Sequence, residues 1–182
     1  MKTILFIGLI MIAFTGGPVW AQYSFETDNA QIKQVVSTDF MGRTSFVKEN
    51  SVFLKQFGLK NQTSVEQYAG TTGANYAGII QYGSSQRIWL LEQGSNNKAH
   101  LGQFGSQNEI DLSLYGDFIN ANVLQSGHDN SVNQELTDSN LDYTILQFGN
   151  SWGLTIIGSP NISGFSVKQS GMSGSHVTIE HH

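Results

Sequence analysis

The chain has 182 residues, with 9 Lys and Arg against 14 Asp and Glu, a formal net charge of −5 and no cysteine. Gly (20), Ser (20), Asn (14) and Gln (15) together far outnumber the charged residues, which make up 13% of the chain. So little charge excludes a charge-coated globule and a charge-driven disordered tail. The acidic balance excludes a basic stripe for nucleic acid or anionic membrane, and the lack of Cys excludes disulfides, thiolate metal sites and Cys nucleophiles.

Lys2 precedes an apolar run from Ile4 to Phe14, which has the length of a signal-peptide core and is too short for a membrane anchor. Val19 and Ala21 stand at −3 and −1 of a cleavage before Gln22. The expectation is a secreted chain that loses residues 1–21, keeps an N-terminal segment over 22–44 and carries repeats over 45–182. No later segment is apolar enough to insert in a membrane.

Gln-x-Gly recurs at Gln81/Gly83, Gln103/Gly105, Gln125/Gly127, Gln147/Gly149 and Gln169/Gly171, in steps of 22 residues without drift. A fixed period of this length marks a repeat architecture. A half-period of 11 lies inside it, at Gly83, Gly94, Gly105, Gly116, Gly127, Asp138, Gly149, Pro160 and Gly171. These residues tolerate positive φ or preset a turn, so each position is expected to be a corner. Upstream the frame gives a corner at Gly58 and, after a three-residue insertion around Gly70 to Gly73, at Thr72.

Three residues after each corner begins a seven-residue stretch of alternating character, as in Asn50-x-Val52-x-Leu54-x-Gln56 and Asn97-x-Ala99-x-Leu101-x-Gln103. The two inner columns continue through Ile88/Leu90, Ile110/Leu112, Ala121/Val123, Val132/Gln134, Tyr143/Ile145, Leu154/Ile156, Phe165/Val167 and His176/Thr178, with mostly polar residues between. Period-two alternation is the mark of a strand with one face inside. An 11-residue period could also suit a right-handed helical supercoil, but Gly every eleven residues, with Thr, Asn and Ser inside each run, argues against helix. Twelve strands, from 50–56 to 174–180, predict an all-β fold: a β-solenoid of about six two-stranded coils in cross-β stacking, about 29 Å tall.

In that stack Gln81, Gln103, Gln125, Gln147 and Gln169 lie above one another, where identical amides can hydrogen-bond along the axis. Asn97, Asn108 and Asn130 are expected to do the same at strand starts. Glu92, Leu114, Leu136 and Gly158 occupy Gln sites, and Ile119, Leu141, Trp152 and Gly174 occupy Asn sites. The ladder is therefore broken, on one strand face more than the other.

The repeated Gln-x-Gly-x-x-Asn-x-(Ala/Ile/Val)-x-(Ile/Leu/Val)-x-Gln, close in Gln56-Phe57-Gly58-Leu59-Lys60-Asn61 and Gln103-Phe104-Gly105-Ser106-Gln107-Asn108, resembles the curlin repeat of bacterial curli fibres over about residues 45–182. The resemblance implies a secreted structural subunit, major or nucleating, of an extracellular functional amyloid in the biofilm matrix. It implies self-association, association with other curlin-like subunits, and export through an outer-membrane channel with accessory chaperones in a Gram-negative-type cell. By position, residues 22–44 would address that channel.

No cofactor, metal site or catalytic group is expected. His100, His128, His176, His181 and His182 lack first-shell spacing, and there is no Gly-x-Ser-x-Gly elbow. Aromatic residues recur just after the Gln sites, at Phe57, Tyr68, Tyr82, Phe104, Tyr115 and Phe148. They read either as a ladder for carbohydrate or planar ligands or as packing against neighbouring corners. Glu109, Asp111, Asp117, Asp129 and Asp142 read as charged gatekeepers against association or as a plain solvated face. A monomeric secreted adhesin or carbohydrate-binding solenoid is the second functional reading. Against it, a monomeric solenoid needs polar caps, whereas strand 174–180 runs to His182 and would leave an edge that templates another chain.

Overall fold

A computed structural model describes residues 21–26, 31–38, 50–69, 73–158, 164–172 and 174–181, the first two segments by their backbone path alone. Most of the expected signal peptide, and the expected corners Thr72 and Pro160, lie outside the described residues. The regular structure is all β. The strands are β1 Ala21–Glu26, β2 Gln31–Thr38, β3 Ser51–Leu59, β4 Gln62–Ala69, β5 Tyr76–Ser84, β6 Arg87–Gln93 and β7 Lys98–Ser106. They continue as β8 Glu109–Tyr115, β9 Asn120–His128, β10 Ser131–Leu136, β11 Asp142–Asn150, β12 Gly153–Gly158, β13 Phe165–Gly171 and β14 His176–His181.

The odd strands form one seven-stranded sheet in the order β1-β3-β5-β7-β9-β11-β13, and the even strands form the other. Neighbours within a sheet are parallel and two strands apart in sequence, so each pair of strands closes one coil. The expected solenoid, with its 22-residue repeat and two strands per coil, is the architecture found. β1 and β2 add a pair ahead of the repeats, aligned on β3 and β4. The expected strands stop at each Gln, whereas β3, β5, β7, β9 and β11 run on through the corner glycine.

The core lies between the sheets, where Ile79, Ile88, Ile110, Leu112 and Ile145 are fully buried. Its columns follow the sequence frame through β13, where Phe165, Val167 and Gln169 continue Tyr143, Ile145 and Gln147, and shift only in β14. The register sets Val177 on Leu154 and Ile179 on Ile156, with His176 on Gly153 and Thr178 on Thr155. The expected inner pair His176/Thr178 is therefore corrected to Val177/Ile179. A step one residue longer than 22 separates β12 from β14, and a one-residue slip exchanges the two faces of a strand. Placing Val and Ile rather than His and Thr on the core side is the favourable choice.

Each coil turns at corners that need two left-handed residues. Gly58, Gly83, Gly94, Gly105, Gly116, Gly127, Gly149 and Gly171 all have positive φ. A second constraint acts at the same atoms: a Cβ on Gly83 would lie 1.7 Å from Gly105 O, and one on Gly105 would lie 2.0 Å from Gly127 O. The carbonyl of each corner thus fills the space where the side chain of the corresponding corner one coil earlier would sit. Two residues later comes a non-glycine residue in the left-handed region, among them Lys60, Ser85, Asn96, Gln107 and Ser151. At Asp138, where Gly is missing, Asn140 still takes this conformation at φ 61°. The N–H of that residue reaches the corner of the preceding coil, as in Gln107 N to Ser84 O at 3.0 Å and Ser151 N to His128 O at 2.9 Å.

Gly83→Ala is expected to cost at least about 2 kcal/mol, since it meets both the left-handed φ and a backbone oxygen. Gly102→Ala is the control, because the tightest contact of its Cβ would be the flexible Leu124 Cδ1 at 3.0 Å, with Phe104 Cε2 at an ordinary 3.5 Å. Urea unfolding midpoints that fall equally for both variants would contradict this account of the corners.

Candidate functional site: the amide ladder and the axial edge

The third inward position of every odd strand from β3 to β13 is a glutamine. Gln56, Gln81, Gln103, Gln125, Gln147 and Gln169 follow one another in register, and all are buried. Gln56 Nε2 donates to Gln81 Oε1. The chain continues with Gln81 to Gln103 at 2.8 Å, Gln103 to Gln125 at 2.9 Å, Gln125 to Gln147 at 2.9 Å and Gln147 to Gln169 at 2.7 Å. The second N–H crosses the core to a carbonyl at the start of the facing even strand: Gln103 to Arg87 O, Gln125 to Glu109 O and Gln147 to Ser131 O, at 2.8–3.0 Å. Both amide hydrogens are used, so a polar group that would be costly to bury alone is satisfied in two directions.

The asparagines act differently from the expected amide-on-amide stack. Asn97 Nδ2 donates to Gly116 O at 2.9 Å, and its Oδ1 accepts from Ile119 N at 2.9 Å. Asn108 donates to Gly127 O and accepts from Asn130 N; Asn130 donates to Gly149 O and accepts from Trp152 N. Only Asn130 Nδ2 to Asn108 Oδ1, at 3.1 Å, joins two of these side chains. The correction has a geometric cause: the shorter side chain at a strand start reaches the corner backbone of the next coil before it reaches another amide. These asparagines staple corners rather than extend a ladder. Gln86, unmarked in the repeat frame, copies the staple in part. Its Nε2 donates to Tyr82 O and Gly105 O, while its Oε1 finds no partner.

The equivalent inward position of the even strands reads Gln67, Glu92, Leu114, Leu136 and Gly158, so the amides are continuous in one sheet and replaced in the other. Glu92 is fully buried. Its Oε2 accepts from Gln67 Nε2 at 2.6 Å, while its Oε1 and Gln67 Oε1 have no partner. Burial pushes the Glu92 carboxyl up to about 8, against the opposing pull of the Gln67 hydrogen bond. Burial also raises the Tyr143 phenol well above its usual range, with the Glu92 charge adding to the effect. The Tyr143 hydroxyl and both amide atoms of Gln134 are buried without partners.

The aromatic residues near the corners stack on each other. Phe57 and Tyr82 lie 4.7 Å apart at 10°, and Tyr82 and Phe104 lie 5.6 Å apart at 8°. Tyr68 and Phe148 are exposed, and Tyr115 is half-buried. The acids divide. Asp117 Oδ1 accepts from Ser95 N at 2.6 Å, Asp142 Oδ1 accepts from Asn120 Nδ2 at 3.1 Å, and Glu109 faces Arg87 at 3.6 Å. Among the described residues no group of three or more His, Asp or Glu is placed to hold a metal ion.

Among the described residues β13 and β14 are the edge strands on the C-terminal side of the stack, and there the inner columns come into the open. Val177 and Ile179 are 40% and 39% exposed, whereas their register partners Leu154 and Ile156 are 0% and 3% exposed. Gln169 donates to Gly153 O and has no further glutamine beyond it among the described residues. At the other end of the ladder Gln56 Oε1 lacks a donor, since the register of β1 sets Phe25 at that position. Comparison with protein-family models, curated proteins and solved structures gives no match.

Two pairs of substitutions test this site. Gln125→Leu takes the partner from one Nε2–H of Gln103, which keeps its bond to Arg87 O, and from Gln147 Oε1, and is expected to cost about 2–4 kcal/mol. Gln134→Leu removes two unpaired buried atoms and is expected to gain about 1 kcal/mol. Equal losses in urea unfolding would contradict the ladder. For Glu92 the folded pKa lies above the ordinary value of 4.5, so the folded state holds a proton that the unfolded chain releases. Its stability contribution is full below about pH 4.5, falls as pH rises and levels off above about pH 8. Glu92→Gln removes that fall, so its advantage over the parent grows from pH 5 to pH 8 by a few kcal/mol, at ~1.4 kcal/mol per pH unit. An advantage that is the same at both pH values would contradict a buried neutral carboxyl.

Proposed function

We propose that this chain is the secreted structural subunit of an extracellular, curli-like amyloid fibre, growing by end-to-end stacking of coils. The observation that carries the reading is the edge at β13 and β14, which no other strand covers among the described residues. A strand edge with unpaired N–H and C=O groups templates another strand, and here Val177 and Ile179 extend the core columns to that edge. A second copy presenting β1 and β2 would continue both sheets in the same parallel sense and cover both side chains. The amide ladder, the corner stacking and the 22-residue repeat support a curlin-like subunit of the biofilm matrix. That reading brings with it export through an outer-membrane channel with accessory chaperones, a place at the surface of a Gram-negative-type cell, and curlin-like partner subunits. A monomeric adhesin or carbohydrate-binding solenoid is the second reading, favoured by the outward ring stack Phe57–Tyr82–Phe104.

The test follows thioflavin fluorescence and fibre diffraction of the mature chain, residues 22–182, incubated without denaturant. Growing fibres with reflections near 4.7 and 10 Å are expected. Val177→Lys with Ile179→Lys should abolish growth, whereas Thr178→Lys, on the outward side, should allow it. A parent chain that stays a β-rich monomer, or a doubly substituted chain that grows as the parent does, would overturn the reading.

A further inference from the structure

The two outer faces of the solenoid carry opposite charge in matching positions. From β3 to β13 the outward residues of the odd sheet include Lys55, Lys98 and Lys168 against Asp142 alone. From β4 to β14 those of the even sheet include Glu66, Glu109, Asp111, Glu135 and Glu180 against Arg87 alone. The placement of these charges is more specific than the balance. One outward column of the odd sheet reads Lys55, Ile80, Gly102, Leu124, Leu146 and Lys168. One outward column of the even sheet reads Glu66, Leu91, Ser113, Glu135, Ile157 and Glu180. Both columns carry a charge at each end, five strand steps apart, about 24 Å at the usual strand spacing; the odd column has no charge between its ends, whereas the even column holds Ser113 and a third acid, Glu135, between Leu91 and Ile157. The ends of one column are cationic and those of the other anionic.

Each face also has exposed apolar surface near its centre. The odd sheet carries a groove of about 460 Å³ over Gly78 and Gly102, walled by Phe53, Ile80, Leu124 and Leu146. On the even sheet Trp89 stands 41% exposed, with the Arg87 guanidinium 5.5 Å from its ring, and Ile157 is 46% exposed. An apolar centre with charges at its rim is the anatomy of a protein–protein interface, and matched charges of opposite sign set its register.

We propose that the odd face of one copy docks on the even face of a second copy, side by side and axially in register, with Lys55 set against Glu66 and Lys168 against Glu180. The contact is heterologous, since the docked pair still offers one free odd face and one free even face, so it repeats into a lateral array rather than closing as a dimer. It goes beyond end-to-end growth, because it uses sheet faces and leaves the β13 and β14 edges free.

The test compares three forms of the mature chain: the parent, Lys55→Glu with Lys168→Glu, and Glu66→Lys with Glu180→Lys. Assembly width is read by electron microscopy and sedimentation at low ionic strength, and circular dichroism confirms that each variant keeps its β content. The parent should form multi-column assemblies that thin to single columns in 0.5 M NaCl. Each variant alone should associate sideways at least roughly tenfold more weakly, and an equimolar mixture of the two should recover the parent width, because each then meets the opposite charge. Single-column parent assemblies at low salt, variants as wide as the parent, or a mixture that stays narrow would each overturn the proposal. So would a parent that stays narrow but takes up polygalacturonate through its lysine face. Wide but short assemblies would uphold side-by-side docking and count against end-to-end growth, whereas long single columns would do the reverse.

Discussion

The rest of this structure depends on one constraint: each inward side chain has its own counterpart one coil away. At a strand spacing of about 4.8 Å, a buried polar group must find its partner in the coil above, in the coil below or across the core. A primary amide meets that demand because it is both donor and acceptor, and so complementary to a copy of itself. The chain from Gln56 to Gln169 uses this property at every step. Glu92 shows the limit, since an ionised carboxylate only accepts. In the corresponding position of the even sheet it is held by one hydrogen bond and is pushed toward its neutral form. Leu114 and Leu136 meet the same constraint by having nothing to satisfy.

The corners follow from the same repetition. Stacked turns bring carbonyl oxygens onto the glycines of neighbouring coils, which leaves no space for a Cβ. Those carbonyls need donors, and the asparagines at the strand starts supply them while accepting an N–H from the next coil. One sheet is thus tied together through its side-chain amides and the other chiefly through apolar packing, with staples at the corners between them. A body built this way has no natural end, because every coil offers the next one its own complement. That is the physical ground on which the proposed fibre rests.

Much of this was legible in the sequence because the constraint repeats. The 22-residue step of Gln-x-Gly set the coil, and the alternation between corners set which residues face inward from β3 through β13. Other features have no repeating signal. The second left-handed corner residue is Asn96, Asp129 or Asn140 at some corners and Lys60, Ser85, Gln107, Phe118 or Ser151 at others; Asn and Asp tolerate that conformation, whereas at the other five tertiary stacking imposes it. The shift at β14 arises between Gly171 and His176, where no asparagine marks the strand start and the preference for burying Val177 and Ile179 decides the register. β1 and β2 carry neither the Gln-x-Gly nor the Asn signal, and their pairing is visible only from the edges of β3 and β4. The asparagine staples were readable by position but not by chemistry, because side-chain reach decides between a neighbouring amide and a corner carbonyl.

The central claim, that the glutamines form one unbroken hydrogen-bonded line along the axis, can be tested by magic-angle-spinning NMR of the assembled chain with glutamine side chains labelled in 15N and 13C. The account predicts contacts linking Gln56, Gln81, Gln103, Gln125, Gln147 and Gln169 in that order, each from the Nε2 of one residue to the amide carbon of the next. Glutamine amides that exchange freely with water and show no contacts to one another would contradict it.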